Sequence, residues 1–164
     1  MKNNTQPDSP FYDRVVHSNG LLRVMESVRG AEGNDAAGAL YTVYGEYIHD
    51  SEDMVGASVA LAEAGLDGSH GAAFDDDSWD PAIKTAMDEG LALTGTDVGT
   101  PLLGFDNLDG RRVGFFGPVI SRRLTLDVGL RLWDGLMLTA STDAFWELKP
   151  TRTESPDFAP PADR

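Results

Sequence analysis

Reactive side chains are sparse in this sequence, and each type bounds the chemistry available. No cysteine occurs among its 164 residues, which removes disulfides, thiolate metal sites and thiol catalysis by this chain acting alone. FDDDSWD sets Asp75, Asp76, Asp77 and Asp80 close together, a density that would suit a divalent cation. The stretch lacks the glycine and the distal glutamate of a calcium loop, so a solvated loop ending in a helix cap is the expected state. His17, His49 and His70 show no paired ligand spacing, and no serine sits in a nucleophile-elbow pattern. His49 follows the apolar face of a helix, where an imidazole meets the negative end of the helix dipole. Gly110, Gly114 and Gly117 belong to strands rather than to the start of a helix, and do not match a loop that cradles phosphate.

The stretch DVGTPLLGFDNLDGRRVGFFGP, residues 97–118, is left as the most informative. It reads as a loop, a proline, a strand, a turn and a second strand closing on Gly-Pro. PLLGFD and RRVGFFG are short runs around Asn-Leu-Asp-Gly, with aromatic residues in the second, and predict a β-hairpin. The plain reading of Pro101 is that it opens an edge strand, where a missing N–H costs little.

The elements that must position this stretch are helical. Leu21, Val24, Met25 and Val28 fall at i, i+3, i+4, i+7, one apolar face of a helix from near Tyr12 to about Gly30. Ala37, Leu40, Tyr41, Tyr44 and Ile48 repeat the spacing from a cap at Asn34 or Asp35, and a third segment from Ser51 to about Ala64 closes at Gly65. LDGSHGAAFDDDSW is expected to be a loop. Asp80 as cap and Pro81 as first helical residue then start a helix whose Ile83, Ala86, Met87 and Leu91 share a face, ending at Gly95. Leu126, Leu130, Trp133 and Met137 mark a last amphipathic helix that stops near Ser141. The remaining aromatics, Tyr41, Tyr44, Trp133 and Trp146, are expected to be core or rim residues.

Charge narrows the partners. Thirteen basic against 27 acidic residues give a formal charge of −14, so neither nucleic acid nor an anionic membrane is an expected partner. MKNNTQPDSP lacks the apolar run of a signal peptide, and no window approaches the roughly 18 apolar residues of a membrane span. The protein is therefore expected in the cytoplasm.

DVGTP, the two strands, FFGPVIS, the helix carrying LRLWDG and the closing FWELKPTRTE resemble the C-terminal half of DsbA-like thioredoxin-fold proteins, most closely the mycothiol-dependent nitroreductase group. YTVYGEYIHD and ALAEAGLD resemble that family's inserted helical domain. The resemblance covers most of residues 10–155 and implies an α+β, mainly helical fold. Residues 1–96 would be the helical insertion, 97–149 the C-terminal hairpin and helix of an incomplete thioredoxin fold, and 150–164 a mobile Pro-rich tail.

The same resemblance implies thiol–disulfide or nitroreductase chemistry. It implies mycothiol as a thiol co-substrate, with no cofactor or metal of the protein's own. In such proteins a cis proline loop holds the sulfur partner, so a cis Thr100–Pro101 bond would leave the Thr100 backbone free to pair with a thiol compound. Gly99, Thr100 and Pro101 become thiol-binding candidates on that ground. Tyr12 joins them because it matches a tyrosine near the family's active-site cysteine; as a lone aromatic ahead of a helix it would otherwise be a packing residue. Asn3 and Asn4 lie near a family asparagine of similar role.

The family's Cys-Pro-x-Cys half has no counterpart in this sequence. The chain is therefore expected to be a truncated or degenerate oxidoreductase, inactive alone. The alternatives are a non-catalytic thiol-binding or interaction module, and one half of a split enzyme. A two-stranded hairpin is marginal by itself in water. The partner expected on its edge is a cysteine-containing chain that supplies the missing half, or a second copy of this one.

Overall fold

The computed structural model describes residues 6–51, 54–142, 145–147, 153 and 155–159. The fold is mainly helical with one small antiparallel sheet, and it divides into two compact units, Met1–Ala86 and Met87–Arg164. Among the described residues no helix is long and apolar enough to cross a membrane.

The first unit has a true core. Helix α1 (Tyr12–Glu32) buries Leu21, Val24 and Val28, the face its spacing predicts. Gly33, at φ 89°, ends it and turns the chain into α2 (Asn34–Glu46), which buries Ala37, Leu40 and Tyr44. The expected cap at Asn34 or Asp35 is thus corrected to Gly33: the sharp turn needs a left-handed residue there, and Asn34 is already helical. Tyr41, expected in the core or at its rim, is 66% exposed. A wide helical turn (Tyr47–Ser51) continues α2, and the third helix is shorter than its composition suggests, with α3 only Ala57–Glu63. Ala60 and Leu61 of α3 close the core together with Val55 and Ala73.

The segment expected to be a loop after α3 is instead tight 3-10 helix, Gly68–Asp75 and then Asp77–Trp79. Two aspartates wind it. Asp67 accepts from the Ser69 N–H at 2.8 Å and Asp76 from the Ser78 N–H at 3.0 Å. Hydrogen bonding from Ser69, backbone then hydroxyl, and from Ser78, hydroxyl then backbone, holds both carboxyls below the usual carboxylate range. Phe74 from this segment lies so close over α1 that a Cβ on Gly20 would meet its ring at 2.6 Å.

Helix α4 (Asp80–Thr94) starts where expected, but the Asp80 carboxylate is engaged beyond its own helix. Its oxygens accept from Arg23 Nε at 2.7 Å and Nη2 at 2.9 Å, and Asn19 donates to it at 3.4 Å. Arg23 also donates to the Phe74 carbonyl at 3.3 Å. One guanidinium therefore ties α1 to both the 3-10 segment and the start of α4, a bidentate geometry that suits arginine.

In the second unit, β1 (Leu102–Asp106) pairs antiparallel with β2 (Arg112–Phe116), with Gly104 opposite Gly114. Buried Asn107 builds the turn: its Oδ1 accepts from the Asp109 and Arg111 N–H groups at 3.0 and 2.8 Å, its own N–H donates to the Arg111 carbonyl, and Gly110 takes φ 74°. Side-chain capture of nearby backbone donors is how asparagine favours turns. Leu93 of α4 is seated on the glycine pair; a Cβ on Gly114 would lie 2.5 Å from Leu93 Cβ and 3.2 Å from its backbone. Helix α5 (Leu126–Ala140) follows. Of residues 150–164, the described part includes Asp157, which bridges in parallel to Arg122 and donates its N–H to the Ser121 carbonyl at 2.6 Å.

Three outcomes follow from these contacts. Gly114→Ala drives a methyl into the Leu93 backbone, which cannot swing aside, and is expected to lower unfolding stability by about 3 kcal/mol in urea titrations. The Tyr44 hydroxyl is buried without a hydrogen-bond partner among the described residues, and burial pushes its pKa above the usual tyrosine range. Tyr44→Phe is expected to raise stability by about 1 kcal/mol, since it removes an unsatisfied buried group. The hydrogen bond from Arg23 holds the Asp80 carboxyl below the usual carboxylate range, so its contribution is complete above the unfolded value of about 4. That contribution is lost as pH falls through the lower folded value. Asp80→Asn is accordingly expected to lower the urea midpoint at neutral pH, with the gap to the parent closing as the titrations are taken into acid.

Candidate functional site

Gly99, Thr100 and Pro101 lie together in the second unit, in the exposed loop that leads into β1. The Pro101 carbonyl accepts from the Gly117 N–H at 2.9 Å, one rung beyond the Leu102–Phe116 pair. The loop is thereby fixed to the exit of β2. Gly99 lies against the Phe116 ring, where a Cβ would meet it at 3.4 Å. The Thr100–Pro101 and Gly117–Pro118 peptide bonds are both cis. Thr100 and Pro101 are exposed, so a ligand can approach this loop from solvent.

Tyr12 is the first residue of α1, half-buried, in the first unit. Just beyond it on the same helix, Arg14, His17 and Ser18 line a shallow cavity of about 170 Å³, closed on the other side by Ile48 and Met54. His17 is held in place there: its Nε2 lies 2.9 Å from the Val55 carbonyl and its ring meets Phe74 edge-on at 5.3 Å. Asn3 and Asn4 lie outside the described residues.

The acidic stretch builds no metal site. Asp76 is used on Ser78 and Asp80 on Arg23, and among the described residues no three His, Asp or Glu side chains converge on a point. His49 sits in the wide turn after α2. His70, in contrast, stands between two side chains of α1: Ser27 Oγ lies 2.8 Å from its Nδ1 and Glu32 Oε1 lies 3.0 Å from its Nε2. Spacing along the chain gives no hint of this cluster, because His70 reaches α1 through a 3-10 segment that reads as a loop.

Around the proline loop the second unit is thinly covered. Its buried residues among those described are Asn107, Gly117 and Ala140. The apolar row of α5 faces solvent, with Leu126 79%, Leu130 55% and Trp133 50% exposed, where a packed face was expected. The helix itself forms as the 3.6-residue period requires, and its apolar row stays exposed among the described residues.

The proline loop, hairpin and α5 follow one another along a chain that contains no cysteine. The sequence model of the Rv2466c-like family, described as mycothiol-dependent nitroreductase Rv2466c, matches residues 3–150. That span takes in the helical unit, the proline loop, the hairpin and α5, and the chain accordingly belongs to the Rv2466c-like, mycothiol-dependent nitroreductase family.

Proposed function

We propose that this chain is the thiol-binding portion of a DsbA-like thiol–disulfide oxidoreductase, with no redox cysteine of its own and no turnover by itself. The observation that carries this reading is the match to a mycothiol-dependent family over residues 3–150 in a sequence that contains no cysteine. A low-molecular-weight thiol is the ligand. The nucleophilic sulfur comes from a second, cysteine-bearing chain, and the cytoplasm is the compartment in which the two meet.

In this reading Gly99, Thr100 and Pro101 present backbone to the thiol compound in the manner of an added strand; Tyr12, in the first unit, is a thiol-binding candidate on the family resemblance alone. The partner's thiolate attacks the sulfur of a mycothiol mixed disulfide, a new S–S bond forms and the mycothiol thiolate departs. Reduction of a nitroaromatic acceptor is the activity that the family's description implies for the assembled protein.

The solvent-facing row Leu126, Leu130 and Trp133 supports the need for such a partner. Contiguous apolar surface of this kind marks an interaction site, and a chain that adds strands beside the hairpin would cover it.

Titration of the 15N-labelled chain with mycothiol tests the ligand. Saturable shifts of the Gly99, Thr100 and Leu102 amides are expected, together with no reduction of mycothiol disulfide or of a nitroaromatic by the chain alone. Unmoved amides at saturating thiol, or turnover by the purified chain, would overturn the reading.

A further inference from the structure

Several serine and threonine hydroxyls in this protein's helices and just beyond α5 turn back on their own backbone. Thr42, Thr85, Thr94, Thr139, Ser141 and Thr142 each donate to the carbonyl four residues earlier. Ser27 of α1 does otherwise: its Oγ meets Nδ1 of His70 at 2.8 Å, across to the Gly68–Asp75 segment. The far nitrogen of the same ring, Nε2, meets Glu32 Oε1 at 3.0 Å.

The chemistry of the three groups fixes the proton positions in the neutral ring. An ionised carboxylate only accepts, so Nε2 carries the ring proton and donates it to Glu32. Nδ1 is then a lone pair, and the Ser27 hydroxyl is its donor. A hydroxyl on an imidazole that is oriented from behind by a carboxylate is the arrangement that activates an oxygen nucleophile.

The His70 side chain is 11% exposed, while Glu32 lies nearer solvent. Arg29, the cation of the last turn of α1, is paired with Glu26 at 2.9 Å. The positions of the three residues are set by α1 and by the 3-10 segment that Asp67 starts, so the relay is built into the first unit.

We propose that Ser27 is a base-activated nucleophile, a covalent modification site for activated acyl and phosphonyl electrophiles, with His70 as its base and Glu32 as the group that orients the base. With a fluorophosphonate, Ser27 Oγ forms the bond to phosphorus and the P–F bond breaks. Fluoride leaves with the electron pair, and the hydroxyl proton passes to His70 Nδ1, where the imidazolium is held by Glu32. Ser27 is half-buried, so a small probe is the appropriate electrophile.

The full chain is incubated with a methyl fluorophosphonate at neutral pH and read by intact mass and peptide mapping. One adduct on Ser27 is expected, absent in Ser27→Ala. The labelling rate should fall by about a hundredfold in His70→Gln and fall less in Glu32→Gln. Should His70→Gln not fold, long-range 15N–1H imidazole spectra of the parent decide the point, with the proton expected on Nε2 of His70. No adduct on Ser27 under conditions that fully label a serine hydrolase, an unchanged rate in folded His70→Gln, or a neutral ring protonated on Nδ1 would each overturn the proposal.

Discussion

A two-stranded sheet has two faces and two edges to satisfy, and by itself it is marginal in water. The second unit of this protein is organised around that constraint. One face of the hairpin is met by Leu93, which the absence of side chains at Gly104 and Gly114 admits directly onto the paired strands. On the hairpin, Phe105 and Phe115 stack with centroids 6.4 Å apart, and Phe145 lies 6.1 Å from Phe115. Asn107 holds the turn and the Gly117–Pro101 bond closes the open end. The proline loop is placed by those two faces and that last rung. The outer edges of β1 and β2 carry no further strand among the described residues, and an edge left with free backbone donors and acceptors is a template for another chain.

The two units show what the same patterning achieves with and without a neighbour. In the first, Val24, Val28, Leu40 and Leu61 are fully removed from solvent, each contributing about 2 kcal/mol by burial. In the second, α5 has the more sharply segregated sequence of the two classes of helix, yet only Ala140 is buried. Periodicity records which face a helix would bury; burial itself requires a second surface. The row Leu126, Leu130, Trp133 meets no such surface among the described residues.

Much of the fold was legible in the sequence because it is encoded locally. Apolar spacing identified α1, α2, α4 and α5, and the Asn-Leu-Asp-Gly stretch identified the hairpin, since its turn is made by one residue's side chain on its own neighbours. Where local chemistry is ambiguous, sequence reading fell short. LDGSHGAAFDDDSW carries every mark of a loop, and only the bonds from Asp67 to Ser69 and Asp76 to Ser78 show it wound into 3-10 turns. Asp80 has the makings of a cap, but the guanidinium of Arg23, 57 residues earlier, takes its carboxylate. The Ser27–His70–Glu32 cluster was invisible for the same reason: His70 is 43 residues from Ser27, and no spacing rule links a helix to a segment read as coil. At the candidate thiol loop the order of residues was readable, while its attachment through Pro101 and Gly117 needed coordinates.

Oxygen and sulfur divide the two chemistries assigned to this chain. A serine made nucleophilic by an imidazole can accept an acyl or phosphonyl group, because those steps form and break bonds to oxygen without changing its oxidation level. Thiol–disulfide exchange demands an atom that attacks as a thiolate, bonds to a second sulfur and is released again as a thiolate. A hydroxyl cannot follow that cycle, however well its proton is removed. Ser27 is therefore no substitute for the cysteine that a mycothiol-dependent reaction needs. Its relay lies wholly within the first unit, between α1 and the Gly68–Asp75 segment, and Gly99, Thr100 and Pro101 lie in the second. The oxygen chemistry of Ser27 and the sulfur chemistry of the family therefore draw on different residues of this chain.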